Sequence, residues 1–181
     1  MYSQGRFQEG YIITNDGVVL YGLVKDRKEA PFAKIYSKVR FRGEGLRIRR
    51  YSPDQISGYK SGDRTYESLW FDSRTRFLKT FYMSIPGNGK KVFLRVDYKG
   101  SLTLYQLEWV DQESGIFDEF PLFKRQNDDY FIRVTQGILG LRKNDLIEYF
   151  SDCRELRILI DNAGIKNPEE IARFYNDNCG K

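Results

Sequence analysis

Arginines alternate with apolar residues in two neighbouring segments, residues 38–42 and 46–50, which flank Gly43-Glu44-Gly45. Alternate side chains of a strand point to the same face, so the two segments predict a hairpin with one basic and one apolar face. A loop of even length keeps both faces intact and sets arginine against arginine. The expected neighbours are Arg40 with Arg49 and Arg42 with Arg47, while Val39, Phe41, Leu46 and Ile48 point inward.

This row of cations would bind an anion. Like charges on opposed strands cost roughly a few tenths of a kcal/mol per pair, so a ligand would explain why they are there. Phosphate, an acidic or sulfated glycan, a lipid headgroup and nucleic acid all fit. Alternatively, acidic residues on an adjacent strand, around Asp54 or Glu67, neutralise the row. The predicted ligand-binding residues are Arg40, Arg42, Arg47 and Arg49.

Two further groups of residues allow a functional interpretation. Aromatic residues are dense between residues 59 and 82. They would form a stacking platform for bases or sugar rings, or simply part of the core. Asp111, Glu113, Asp118 and Glu119 follow a predicted strand. These carboxylates would bind calcium, hydrolyse glycosides or form a solvated loop.

The sequence contains no histidine and only two cysteines. Catalytic triads that use histidine are therefore excluded, as are histidine-ligated zinc, iron and copper sites. The glycines do not form a phosphate-binding loop before a helix, and no serine has the flanking residues of a nucleophile elbow. We therefore predict no catalytic residues, no metal and no cofactor, and a non-enzymatic role is favoured.

Short strands and tight turns fill residues 10–135. Asn15-Asp16-Gly17 and Tyr98-Lys99-Gly100 each separate two apolar-rich segments, and glycine at the third position of such a loop is typical of a hairpin. Further strands are predicted at residues 32–36, 38–42, 46–51, 65–71, 75–84 and 129–134. Because no helical pattern separates the strands, we expect a mainly β fold, an antiparallel barrel or sandwich.

A helical tail begins near residue 143. Asn144 is expected to cap its first helix, while Asp152 and Glu155 resemble a capping box for a second helix that ends near Gly164. Asn167-Pro168 is typical of the start of a third. Short helices are marginal alone and must dock on the sheet. We predict one domain, with an antiparallel β region over residues 1–142 and a short C-terminal helical segment over residues 143–181.

The two cysteines flank the predicted tail helices, Cys153 at the start of the second and Cys179 beyond the third. If these helices pack antiparallel, the thiols come together, and a disulfide would stabilise the fold by about 3.5 kcal/mol in the chain-entropy model. The alternative is two unrelated thiols, one buried and one at a frayed terminus. A disulfide would indicate an oxidising compartment.

Several fragments of the chain are distinctive: Gly10-Tyr11-Ile12-Ile13-Thr14-Asn15-Asp16-Gly17, Tyr51-Ser52-Pro53-Asp54-Gln55-Ile56-Ser57-Gly58-Tyr59, Tyr66-Glu67-Ser68, Tyr149-Phe150-Ser151-Asp152-Cys153 and Phe174-Tyr175-Asn176. They resemble a family of uncharacterised exported proteins from Bacteroidetes bacteria. The resemblance implies a periplasmic or secreted location, a signal peptide that has been removed, and paired tail cysteines. It implies no activity.

We therefore expect a non-enzymatic cell-envelope module that binds a partner protein or an anionic ligand such as an acidic glycan. The net charge of +5 agrees with an anionic partner. One alternative is a carboxylate-based glycan hydrolase. Another is a nucleic-acid-binding β-barrel, which is disfavoured because it would require a reducing compartment.

Overall fold

The computed structural model describes residues 6–27, 38–45, 47–77, 79–110 and 117–180. This part of the chain forms eleven strands and three α-helices. The strands are β1 Gln8–Thr14, β2 Val19–Lys25, β3 Val39–Arg42, β4 Arg49–Tyr51, β5 Ile56–Ser61, β6 Arg64–Arg76, β7 Lys79–Met83, β8 Lys90–Tyr98, β9 Leu102–Val110, β10 Phe117–Arg125 and β11 Tyr130–Arg133. The helices are α1 Lys143–Tyr149, α2 Arg154–Asp161 and α3 Pro168–Asn178.

The strands follow one another in the order β4-β3-β2-β1-β5-β6-β7-β11-β10-β9-β8, and β8 also pairs with β6. This additional pairing closes β6, β7, β11, β10, β9 and β8 into a six-stranded antiparallel barrel, beside which β1–β5 are extra strands. The predicted fold class is confirmed: the protein is mainly β, as a barrel rather than a sandwich, with a short helical segment at its C-terminal end.

The chain divides into two compact units, each built from separate stretches. The first unit comprises Met1–Leu69, Lys91–Arg95 and Glu108–Asp118. The second unit comprises Trp70–Lys90, Val96–Leu107 and Glu119–Lys181. Within the second unit, the three helices share one core with strands.

The β1–β2 hairpin forms as predicted. Gly17 has a φ of 86°, and the Thr14 amide donates to the Val18 carbonyl at 2.9 Å, which closes the loop. Ile12 of β1 and Val24 of β2 lie in the core of the first unit. That core consists of Ile12, Val24, Val39, Phe41, Ile56, Tyr59, Tyr66 and Phe93.

Other strands differ from the prediction in their bounds. The sequence predicted two strands, at residues 65–71 and 75–84, with a break at residues 72–74. In the structure, β6 runs through this break and ends at Arg76. β5 and β10 were not predicted, since their sequences alternate less clearly between polar and apolar residues. The strand expected at residues 32–36 lies outside the described residues.

In the second unit, the tail helices complete the core. Leu102, Leu104 and Phe123 come from strands, and Val134 directly follows β11. They pack in one cluster with helical and inter-helical residues, which are Leu146, Tyr149, Phe150, Cys153, Leu156, Ile160, Ile165, Ile171, Ala172 and Tyr175. Helices this short gain their stability from burying an apolar face on such a surface.

The ends of the helices correct two predicted caps. α1 begins at Lys143, so Asn144 lies inside its first turn and does not cap it. α2 follows Cys153 without a side-chain cap, because the Asp152 carboxylate is bound by Arg125 and Tyr175 instead. The third prediction is confirmed, since Asn167 Oδ1 accepts from the Glu169 amide at 2.8 Å.

A disulfide joins Cys153 to Cys179, whose Cα atoms are 5.7 Å apart. Cys153 lies directly before α2 and Cys179 directly after α3, as the sequence suggested. The bond fixes the end of α3 against the start of α2.

Asn176 of α3 joins the helix to the start of β9. Its Oδ1 accepts from the Leu102 amide at 2.9 Å and the Ser101 hydroxyl at 2.8 Å, while its Nδ2 donates to the carbonyls of Leu102 and Ala172. Gly100 makes room for this amide, because a Cβ there would lie 2.3 Å from the Asn176 Oδ1. The role of Gly100 is therefore to provide space, since its φ is not positive, unlike that of Gly17 in the β1–β2 hairpin.

Replacing Asn176 by alanine should lower the free energy of unfolding by about 2–4 kcal/mol, because the amide and carbonyl of Leu102 lose their side-chain partner. Urea denaturation followed by circular dichroism measures this change. Asn178→Ala is the matched control on the same helix. Its side chain is exposed and makes a single bond, to the Phe174 carbonyl, so we expect a change within about 0.5 kcal/mol. Equal losses in the two variants would contradict the role given to Asn176.

Candidate functional site

The predicted arginine hairpin exists, but its register differs by one residue. Arg40 lies opposite Arg50, and Arg49 lies opposite Phe41, so the predicted Arg40–Arg49 pairing is wrong. The reason is Tyr51, which lies opposite Val39 and packs on the core with its ring centroid 6.4 Å from that of Phe41. Because alternate residues of a strand lie on the same face, the inward position of Tyr51 places Arg49 on the inner face as well.

The four predicted arginines are thus divided between the two faces of the hairpin. Arg40 and Arg42 are on the outer face, where Lys25 and Arg50 are their neighbours. Arg47 and Arg49 are exposed, and Ile48, which was expected to point inward, is 47% exposed. Leu46 lies outside the described residues. The hairpin therefore does carry a basic surface, but the residues that form it differ from the four that were predicted.

Charged groups are also buried in the first unit. The Asp26 carboxylate accepts hydrogen bonds from the hydroxyl of Tyr59 and, at 3.0 Å, from that of Tyr66. The two tyrosine rings are stacked with their centroids 4.5 Å apart. Beside them, the Glu108 carboxylate lies between two guanidinium groups, 2.7 Å from Arg27 and 2.6 Å from Arg95. We call these six residues the Asp26 network.

Burial governs the electrostatics of the Asp26 network. It raises the pKa of Tyr59 well above its ordinary value, and the charge of Asp26 raises it further. Burial alone would lower the pKa of Arg27, but Tyr59, Asp26 and Glu108 raise it above its ordinary value. Each carboxylate has two partners, so the network satisfies its own charges. We therefore interpret the Asp26 network as part of the structural core of the first unit.

The free energy of unfolding should fall as the pH rises above about 10. Buried Tyr59 and Tyr66 hold their protons more tightly in the folded protein than in the unfolded chain, where tyrosine ionises near 10. Their contribution is complete below that pH and is lost above it. Urea denaturation at pH 8 to 11 should show a decline that is shallower in Tyr59→Phe, by up to about 1.4 kcal/mol per pH unit.

Tyr21→Phe is the control, since the Tyr21 side chain is 75% exposed on β2 of the same unit. We expect it to retain the wild-type decline. A Tyr59→Phe variant with that same decline would show that Tyr59 does not link folding to pH.

The second unit contains a cleft of about 560 Å³ between strands β7 and β11 and helix α1, which we call the α1 cleft. Its lining includes four cations, Lys79, Arg125, Arg133 and Arg142, and two carboxylates, Asp145 and Glu148. Its apolar walls are mainly aromatic: Phe81, Tyr82, Tyr130, Phe131 and Tyr149. Small-molecule sites have volumes of roughly 300–1,000 Å³ and combine apolar walls with a few polar groups.

Asp145 holds two of the cations in place. Its Oδ1 lies 3.1 Å from the Lys79 Nζ and its Oδ2 lies 2.7 Å from the Arg142 Nε. Lys79 begins β7 and Arg142 directly precedes α1, so this carboxylate ties a strand to a helix across the cleft. A second cavity of about 570 Å³, which Lys143 and Lys166 help to line, also borders Arg142 and Asp145.

Arg125 is held from several sides. Its Nη2 donates to the Tyr149 carbonyl at 2.8 Å and to the Asp152 carboxylate at 2.6 Å. The guanidinium lies 4.4 Å from the ring centroid of Tyr149 and 5.0 Å from that of Tyr175. Asp128 accepts from the Tyr149 hydroxyl at 2.7 Å. We call these five residues the Arg125 clamp.

The two tyrosines of the Arg125 clamp are neutral phenols over the ordinary pH range. Burial, followed by the hydrogen bond to Asp128, raises the pKa of Tyr149 well above its usual value. Burial, with the hydrogen bond to Asp152, raises the pKa of Tyr175 to about 12. Both hydroxyls therefore remain donors to their carboxylates.

Arg133 differs from the other cations of the cleft. Its guanidinium lies 4.3 Å from the ring centroid of Phe120, and its buried Nε, like that of Arg125, has no hydrogen-bond partner among the described residues. No ion pair links it to a carboxylate in that part of the chain. An arginine with unused donors beside an aromatic wall is suited to a carboxylate, phosphate or sulfate group.

The predicted acidic loop provides no comparable site. Asp111 and Glu113 lie outside the described residues, while Asp118 and Glu119 belong to strand β10 instead of a loop. Over the described part of the chain, no group of three or more acidic or cysteine residues is placed to hold a metal ion.

Sequence reasoning did not identify the α1 cleft. Its four cations are spread over residues 79–142 and form no alternating pattern such as that of residues 38–50. Of the residues for which the sequence suggested a possible binding role, Phe81 and Tyr82 of the aromatic-rich segment line the cleft. The pairing of β7 with β11 and the placement of α1 create the site.

Comparison of the sequence with family models, curated proteins and solved structures finds no match. No helix within the described residues is long and apolar enough to cross a membrane.

Proposed function

We propose that the protein is a non-enzymatic binding module that holds an anionic ligand, such as an acidic sugar, in the α1 cleft. The observation that carries the proposal is the excess of four cations over two carboxylates in a cleft of ligand size, where Arg133 has no ion pair within the described part of the chain. The acidic group would meet Arg133, and the ring of the sugar would lie against the aromatic wall.

The arrangement of the carboxylates favours binding over hydrolysis. Glycosidases place two carboxyl groups on opposite sides of the scissile bond, roughly 5–10 Å apart. Asp145 and Glu148 are three residues apart on one helix, and Asp145 is engaged with both Lys79 and Arg142. Neither carboxylate is matched by another from the strands that line the cleft.

The proposed location is the cell envelope or outside the cell. The Cys153–Cys179 disulfide supports it, because such bonds persist mainly in oxidising compartments. The resemblance to exported Bacteroidetes proteins agrees with the same location. An oxidising compartment disfavours a nucleic-acid partner.

Binding can be tested by isothermal titration with acidic mono- and disaccharides that carry carboxylate, phosphate or sulfate, each compared with its neutral counterpart. We expect an acidic sugar to bind at least about tenfold more tightly than the neutral one. Arg133→Ala should weaken that binding by about 10- to 100-fold, since it removes charge-assisted hydrogen bonds. Chromatography of the recovered sugar should show no cleavage.

Arg154→Ala is the matched control, because Arg154 is an exposed arginine on α2 that does not line the cleft. It should bind as the wild type does. The double variant Arg40→Ala with Arg42→Ala examines the open basic surface of the first unit. Loss of binding in this double variant, with normal binding by Arg133→Ala, would move the site to the hairpin and refute the cleft.

The location can be tested by alkylating thiols directly in the native cells and measuring Cys153 and Cys179 by mass spectrometry. We expect a linked pair with no alkylated form, because the compartment would be oxidising. Two alkylated thiols would contradict an envelope location and would favour the nucleic-acid alternative.

A further inference from the structure

Strand β2 has an open edge in the first unit. β3 pairs only with Leu23–Lys25, and no described strand pairs with residues 19–22 on that side. The Thr14–Val18 hydrogen bond fixes which residues face β1, and hydrogen-bonded pairs alternate along antiparallel strands. Val18, Leu20 and Gly22 therefore face β1. Val19 and Tyr21 direct their N–H and C=O groups outward.

This edge lacks the usual protection. Proteins blunt exposed edges with charges, proline or bulges, since an open edge pairs readily with another strand. Residues 17–24 contain no charge and no proline. The exposed fractions are 49% for Val18, 41% for Val19, 37% for Leu20 and 75% for Tyr21, so both faces of the strand end are apolar.

The edge is complementary to itself. In an antiparallel arrangement centred on Leu20, Val19 of one copy lies opposite Tyr21 of the other, and both have outward backbone groups. The two equivalent pairs form four backbone hydrogen bonds. The absence of charge between residues 17 and 24 removes like-charge repulsion. The turn of each copy, with Asp16, then approaches the end of β3 in the other, where Arg42 is the last residue.

We propose that two copies of the chain associate through their β2 edges and extend the first unit's sheet across a twofold axis at Leu20. The interaction adds a strand to a sheet edge, in which main-chain hydrogen bonds supply affinity and flanking charges fix the register. It involves no residue of the α1 cleft.

Crosslinking tests the register. At the twofold axis the two Leu20 residues form a non-hydrogen-bonded pair, in which Cα atoms are about 4.5 Å apart, within the range that a disulfide spans. Leu20→Cys should therefore crosslink to itself under mild oxidation. Val18→Cys is the matched control on the same edge. It lies opposite Gly22 of the other copy and should crosslink at least about tenfold less.

Sedimentation velocity over a range of concentrations tests the association. The wild type should show a dimer that dissociates on dilution. Val19→Pro removes only an outward N–H and should raise the dimer dissociation constant at least about tenfold. Asp16→Arg and Arg42→Asp should each weaken the dimer, and the two substitutions together should restore it. Ile158→Lys, at an exposed apolar position on α2, should not change it.

Circular dichroism and urea denaturation establish that each variant is folded. A wild type that remains monomeric at the highest concentration overturns the proposal. So does a dimer that Val19→Pro leaves intact or that crosslinks equally through position 18.

Discussion

A charge removed from water must find a partner inside the protein, and this constraint organises both units. In the first unit, Glu108 lies between Arg27 and Arg95, and Asp26 accepts from two buried tyrosines. In the second unit, the partly buried Arg125 is held by two aromatic rings and by Asp152, whose side chain remains 46% exposed. A buried ion pair adds little net stability, but a buried charge without a partner costs several kcal/mol. Polar residues at these positions therefore restrict the chain to arrangements in which all the partners meet.

The same constraint distinguishes the cations of the α1 cleft that pair with carboxylates from Arg133. Arg125, Arg142 and Lys79 are engaged with carboxylates of the protein, which fixes the walls of the α1 cleft. Arg133 instead rests on Phe120 and has no ion pair within the described residues. For the anionic ligand that we propose, such a site would be preorganised, because little would have to move on binding. The Arg125 clamp also joins the cleft to the disulfide, since Asp152 is next to Cys153 in the sequence.

Local patterns predicted the parts of the fold that local forces decide. The Asn15-Asp16-Gly17 turn, the Asn167 cap and the mainly β class follow from backbone preferences and alternation, and the structure confirms them. The register of β3 and β4 depended on Tyr51, whose inward position comes from a core contact with Phe41 and is not visible in the hairpin sequence. Asp152 fitted a capping box locally but is bound by Arg125 and Tyr175, which are distant in the sequence. The α1 cleft could not be foreseen, because strand pairing brings its residues together.

Neither unit is a continuous stretch of chain, and this affects how the protein is made. The first unit requires Lys91–Arg95 and Glu108–Asp118, and Arg27 is separated by 81 residues from the carboxylate that pairs with it. A ribosome adds roughly 5–20 residues per second, so Arg27 waits several seconds for Glu108 to be synthesised. The apolar β2 strand is exposed during the same interval. Contacts between such distant residues form slowly, so the core of the first unit can be completed only after most of the β region has been synthesised.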